Sequence, residues 1–468
     1  MSETPLHFKT ITELAELIKS KELSPVEVTD AMLDRIRERD LQYKSYATVM
    51  AEQARTSAQA AERAISSGNY LGPLHGVPIA VKDLCFTKGV KTMGATKALM
   101  NHVPDFDCTV VEKLNAAGAI ILGKLNLTEG AMAGYNPEFQ VPINPWGANL
   151  WSGASSSGSG VATSAGLCFG SLGSDTGGSI RFPSAACGIV GIKPTWGRVS
   201  RYGVFALAES LDHIGPMTRS AADAGIMLQA IAGLDPNDPT SLPAAVPDML
   251  EGIDQGVRGL RIGLDEEYIS GDTDPELVES VLAGIRVMEG LGAEIVPIKI
   301  PDISGYMDAW GVLCASEALA AHEATYPSRR DDYGPWFQGW LDMGAAVTGA
   351  EYAKANIVRS ACRGLLANVF ENIDVIGCPT MTRPPFPITL EEMYGSTFLL
   401  DNPHWGRFTV PYDFNGSPSI SLPSGRNSDG LPLSIQFVGK HLSEQLLCRI
   451  GHTFEQNTPW HNLRPDIE

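Results

Sequence analysis

The sequence predicts an α/β fold, a single large α/β/α domain with a central mixed β-sheet flanked by helices. Three observations carry this. Short apolar runs of strand length alternate with helical stretches over all 468 residues. Apolar residues make up 44% of the chain, ample for a substantial core. No internal repeat or long low-complexity linker divides the chain, so one domain is expected over 1–468.

The elements follow in order. Thr10-Ile11-Thr12-Glu13 reads as a capping box that opens a helix carrying Leu14, Leu17 and Ile18. Ser24-Pro25-Val26-Glu27 opens a second helix, with Ser at the cap, Pro at the first helical position and Glu two residues on. Val28, Met32 and Ile36 then share one face. An alanine-rich helix spans about 50–66, so the first helices occupy about 10–66. The period then changes: Val77–Val81 and Ala119–Leu122 read as strands, with a helix over Val110–Ala117 between them. Leu260–Leu264, Pro275–Glu289 and Ala293–Ile300 form a strand-helix-strand unit. Strands are expected at Ile373–Cys378, Ser417–Leu422 and Leu433–Val438, and a last helix at Ser443–Phe454. Prolines at 236, 239, 243 and 247 mark 233–258 as a loop excursion.

A net charge of −19 argues against a nucleic-acid partner, which needs a basic face. The first residues lack the basic start and apolar core of a secretory signal, and no apolar run approaches the ~18 residues of a membrane span. The eight cysteines contain no Cys-x-x-Cys pair, so neither a zinc knuckle nor a disulfide framework is indicated. A cytoplasmic protein with reduced thiols, no membrane and no metal is expected.

Between Gly153 and Gly197, serine and glycine are packed at a density that fold-building alone does not explain. The tract contains Gly153-Ala154-Ser155-Ser156-Ser157-Gly158-Ser159-Gly160 and Gly173-Ser174-Asp175-Thr176-Gly177-Gly178-Ser179-Ile180-Arg181. Glycine frees the backbone, and serine supplies hydroxyls beside exposed N–H groups. That pairing suits a nucleophile and an oxyanion hole. Lys82 ends the apolar strand Ile79-Ala80-Val81; burial there would lower its pKa toward that of a general base, whereas an exposed strand end would leave it an ordinary solvated lysine. The N–H groups of Thr176, Gly177, Gly178 and Ser179 are candidate oxyanion donors, against a plain glycine-rich turn. Ser155 could relay a proton between Lys82 and Ser179, or be one more loop serine.

Taken together these residues resemble the amidase signature family. Gly76-Val77-Pro78-Ile79-Ala80-Val81-Lys82-Asp83 is similar to its lysine strand, and Ala117 through Lys124 with Asn126 and Glu129 continues the likeness. Asn144-Pro145-Trp146, the serine loop, Gly173 through Thr195, and Asp212-His213-Ile214-Gly215-Pro216 extend it; Gly416 through Pro423 and Gln436-Phe437-Val438-Gly439 are similar near the end. The likeness is dense over about 72–216. It departs at Ala154 and Ser157, which stand where the family has glycine.

The resemblance implies a Ser–Ser–Lys triad with Ser179 as nucleophile, Lys82 as base and Ser155, preceded by a cis peptide bond, as the bridge. Asp175, Arg181 and Ser156 would support the loop. It implies hydrolysis of a small-molecule amide, or of an ester or carbamate, through an acyl-enzyme, with no cofactor and with a homodimer as an open option. One alternative is a glutamine-hydrolysing subunit of a tRNA-dependent amidotransferase; its Gly-x-Glu-Val-Lys-Arg-Arg type of segment is replaced here by Gly344 through Ala353. Another is a non-catalytic binding protein on the same scaffold.

Rival motifs fail on residues. Gly118–Lys124 approaches a phosphate loop, but Leu125 stands where a hydroxyl is needed; Gly158-Ser159-Gly160 has Thr163 where a dinucleotide fingerprint needs glycine. His322-Glu323 has Tyr326 where a zinc-protease helix needs histidine, and no Gly-x-Ser-x-Gly elbow occurs in the tract. Tyr135, Trp310 and Trp336 are candidate pocket residues, along with Tyr306, Phe337 and Trp340; helix-core packing is the plainer reading of the same aromatics.

Overall fold

Strands of four to eight residues build one sheet in the computed structural model, which describes residues 4–302, 304–395 and 404–467. They are β1 (Tyr46–Val49), β2 (Pro78–Lys82), β3 (Ile120–Leu125), β4 (Gly170–Asp175), β5 (Val190–Lys193), β6 (His213–Thr218), β7 (Arg261–Leu264), β8 (Glu294–Pro297), β9 (Val375–Pro379), β10 (Ser419–Arg426) and β11 (Pro432–Gly439). Their spatial order is β1-β3-β2-β4-β6-β5-β10-β11-β9-β7-β8. β2 runs parallel to both neighbours, with Ile79 opposite Ile121 and Val81 opposite Leu172. From β4 to β9 each pair is antiparallel, and β9, β7 and β8 are parallel again. The sheet is therefore mixed, with helices packed on it, as the alternating pattern predicted.

Local sequence accounts for the outer elements. The capping boxes at Thr10 and Ser24 form and open the helices Ile11–Lys19 and Pro25–Tyr43. Ile11, Leu14 and Ile18 of the first, and Val28, Met32 and Ile36 of the second, are buried. The alanine-rich helix runs over Ala51–Ser66, and the segment 233–258 holds no helix or strand. The strand-helix-strand unit is present as β7, the helix Pro275–Gly290 and β8, with an extra short helix, Glu266–Ser270, in its loop.

The serine and glycine tract departs from its loop-like composition. It contains the helices Ser157–Ser164 and Arg181–Cys187 and the strands β4 and β5, and β6 follows it. Small residues allow these elements to press together where larger ones would collide. A Cβ at Gly158 would lie 2.4 Å from the Asn126 carbonyl oxygen. Gly153, at φ +82°, would place one 2.3 Å from Pro183 Cα. The density of glycine thus reflects close packing as well as chemistry. From Leu150 to Thr195 every residue is buried except Ser179, which alone reaches toward solvent.

Candidate active site

Lys82 closes β2, and its neighbour β4 ends at Asp175, so one sheet edge brings the lysine beside the serine tract. The Lys82 side chain is wholly buried. Its Nζ lies 2.7 Å from Ser155 Oγ, 2.8 Å from Ser156 Oγ and 2.8 Å from Ser174 Oγ. Among the described residues no carboxylate pairs with it. Burial pushes its pKa down to about 7, although the charges of Asp212 and Asp175 pull the other way. A neutral amine can donate two of these hydrogen bonds and accept the third, from a serine hydroxyl.

Ser155 follows a cis peptide bond from Ala154. Ser156 opens the helix Ser157–Ser164; its N–H donates to the Ser179 carbonyl at 3.3 Å, and its hydroxyl donates to the Ser174 carbonyl and accepts the Ser174 N–H, both at 3.2 Å. This clasp holds the two halves of the tract together.

Asp175 shapes the loop before Ser179. Its carboxylate accepts N–H groups from Gly178 at 2.7 Å, Ile180 at 3.0 Å and Arg181 at 3.3 Å. The Arg181 guanidinium adds two more bonds, at 2.8 and 3.0 Å. Burial opposes the charge on Asp175, and Arg181 overrides it, holding the carboxyl well below the usual range. Arg181 also reaches Asp413 at 2.7 Å and the Thr409 carbonyl at 3.1 Å, which ties this loop to the C-terminal part of the chain. One sequence expectation is corrected here. The Gly178 N–H is spent on Asp175 and faces its own loop, so it is no oxyanion donor. No carbonyl or carboxylate among the described residues takes the N–H groups of Thr176, Gly177 and Ser179.

Three participants escaped the sequence reading. Ser174 supplies the third hydroxyl on Lys82, visible only once β2 and β4 pair. Asp212 accepts the Thr176 hydroxyl at 2.5 Å and N–H groups from Leu207 and Ala208; burial raises its carboxyl to about 6. Phe182 lies under Gly178, where a Cβ would come within 2.3 Å of its ring. The aromatic candidates separate. Tyr135 is buried and donates to Ser157 Oγ at 2.7 Å. Trp336 is buried and stacks on Trp340, 5.5 Å between rings. Trp310 alone of the three lines the large cavity beside the loop, and its Nε1 donates to the Thr176 carbonyl at 2.9 Å. Among the described residues no group of three or more His, Cys, Asp or Glu side chains is placed to hold a metal ion, and no helix is long and apolar enough to cross a membrane.

Comparison with known proteins gives the family and the fold. The family model described as "Amidase" matches residues 27–448. The chain belongs to the amidase family. Within that family it is 44% identical over 467 residues to the "Putative amidase AmiD" of Mycobacterium tuberculosis, covering 98% of this chain and 96% of the relative. It is 39% identical over 484 residues to a glutamyl-tRNA(Gln) amidotransferase subunit of Geobacter metallireducens, covering 98% and 99%. Among solved structures, a bacterial aryl acylamidase of the amidase signature family superposes with a TM-score of 0.88 at 27% identity, covering 98% of each chain. The amidase fold and its sheet are thus shared along nearly the whole length.

Proposed function

We propose that this protein hydrolyses a carboxylic amide through a covalent acyl-enzyme on Ser179, with Ser155 as proton relay and Lys82 as general base. The observation that carries the reading is a wholly buried lysine whose only side-chain partners among the described residues are serine hydroxyls. An ammonium there lacks a counter-ion in contact, and burial brings its pKa down to about 7, so a large share of the amine is neutral at neutral pH.

Ser179 Oγ bonds to the substrate carbonyl carbon while its proton passes to Ser155, whose own proton passes to Lys82. The N–H groups of Thr176, Gly177 and Ser179 hold the oxyanion. The carbon–nitrogen bond then breaks, Ser155 protonates the departing amine, and Lys82 returns a proton to Ser155. Water attacks the ester by the same path in reverse and releases the acid. The supporting geometry is the short Lys82–Ser155 contact, the bond between Ser156 and the Ser179 carbonyl, and the partial exposure of Ser179 alone in a buried tract.

The Ser179→Ala variant tests this directly. Amine release from a panel of aliphatic, aryl and peptide amides should fall by about 10⁴-fold or more, with unfolding temperature unchanged. Hydroxylamine added to the wild type should divert the acyl group to a hydroxamate. Equal turnover by the variant would remove Ser179 as nucleophile. Glutamine as the single good substrate would favour the amidotransferase-type reading, which the similarity to the Geobacter protein keeps in view.

A further inference from the structure

Beside the loop that precedes Ser179 lies a cavity of about 1020 Å³. Three tryptophans, Trp310, Trp340 and Trp405, line it, together with the acidic residues Asp265, Glu267, Asp302 and Asp308. The Trp310 ring stands 5.8 Å from Trp340 and 5.3 Å from Trp405. Trp310 is also fastened to the loop, by its bond to the Thr176 carbonyl and by a ring that a Cβ on Gly177 would meet at 2.9 Å. Trp405 lies 5.7 Å from Phe182, the ring beneath Gly178. The aromatic wall and the oxyanion loop are one packed unit, and Gly177 is two residues from Ser179.

The cationic groups around this cavity are already engaged. Lys299 pairs with Glu267, and His404 lies 3.5 Å from Asp272. The Arg407 guanidinium donates to the carbonyls of Gly271 and Tyr268 and lies over the Tyr268 and Phe408 rings. A zwitterion such as glutamine needs a cation for its carboxylate, and these groups are committed elsewhere. The volume also belongs to the range that encloses a drug-sized ligand, far beyond a short aliphatic amide. Aromatic side chains on the wall offer stacking or edge contacts to a substrate ring.

We propose that this cavity binds the non-reacting part of the substrate, and that the substrate class is a bulky aryl amide that carries no carboxylate. This rests on the amide-hydrolase reading above. Gly311 gives access to a test, because it lines the cavity and a Cβ there meets nothing within 4 Å. Gly311→Phe and, from the opposite helix, Met343→Trp both narrow the space without touching Lys82, Ser155 or Ser179.

Binding of benzanilide is followed by tryptophan fluorescence in the Ser179→Ala background, so that no turnover is required. The Kd should rise tenfold or more on adding Gly311→Phe. In the Ser179 enzyme the same substitution should raise KM for benzanilide by a similar factor while kcat/KM for acetamide changes less than twofold. Met343→Trp repeats the result should Gly311→Phe fold poorly. An unchanged benzanilide Kd in both cavity variants, with acetamide still hydrolysed, would overturn the cavity proposal and leave the hydrolase reading standing. Benzanilide binding that the cavity variants weaken, in a protein that hydrolyses no amide, would keep the cavity as an aryl site and overturn the hydrolase reading.

Discussion

Two lysines sit on the adjacent strands β2 and β3 with their side chains out of solvent, and the fold treats them differently. Lys124, in β3, lies 3.2 Å from Asp83 and donates to Thr92 Oγ1 at 2.7 Å. Lys82, at the end of β2, meets three serine hydroxyls and no carboxylate among the described residues. Burial pushes the Asp83 carboxyl up to about 6, with Lys124 opposing the rise. Under the proposed mechanism, the neighbouring chemistry rather than burial itself separates the structural Lys124 from the base Lys82. A counter-ion in contact offsets the cost of burying a charge, and its absence leaves burial free to lower a lysine's pKa.

The comparison breaks most sharply under isosteric replacement. Lys82→Met should lower kcat/KM by about 10²–10⁴-fold or more, because it removes the base. Thermal unfolding should show a smaller loss than the Lys124 replacement below, since buried serine hydroxyls rather than a buried charge lose their partner. Lys124→Met should do the reverse, costing about 3–5 kcal/mol by stranding Asp83. Adding Asp83→Leu to it should recover most of that loss, read from denaturant midpoints. A stability loss in Lys82→Met as large as that in Lys124→Met would make Lys82 a structural residue.

A smaller effect is expected in the pH dependence of stability. The Lys82 pKa falls from an ordinary 10.5 in the unfolded chain to about 7 in the fold. Between those values the unfolded chain binds the proton and the folded chain does not, so this group makes stability fall as pH drops from 10.5 to 7. The stability of Lys82→Met relative to wild type should therefore grow as pH falls across that window and level off below it. A constant difference from about pH 10 to about pH 7 would contradict the low pKa.

The smallest expected effect concerns Asp212. Its charge raises the Lys82 pKa, so Asp212→Asn should move the rise in kcat/KM near pH 7 toward lower pH. A profile that stays fixed while activity merely drops would assign Asp212 to loop support through Thr176 alone.

Much of this was legible before folding. The two capping boxes, the strands around Lys82 and Ile120, and the helix after Ser443 stand where periodicity placed them. The strand β4 was not, because Gly170-Ser171-Leu172-Gly173-Ser174-Asp175 has the composition of a loop. A Cβ at Gly173 would lie 2.8 Å from Met217 Sδ of β6 and 2.9 Å from Ser156 Oγ, so glycine admits these neighbours, a property of the neighbours rather than of the segment. The edge strand β1 was missed for a related reason: its four residues carry too short a pattern to read.

The sequence by itself determined the residue types available for chemistry and where the chain turns, since caps, glycines and apolar runs act over a few positions. The tertiary structure decided what those residues are. Lys82 and Ser174 are 92 positions apart, and Asp175 and Asp413 meet through Arg181 from distant parts of the chain. Protonation, hydrogen-bond commitment and exposure depend on such distant neighbours. So the lysine's low pKa, the loss of the Gly178 donor and the lone partial exposure of Ser179 could come only from the packed fold.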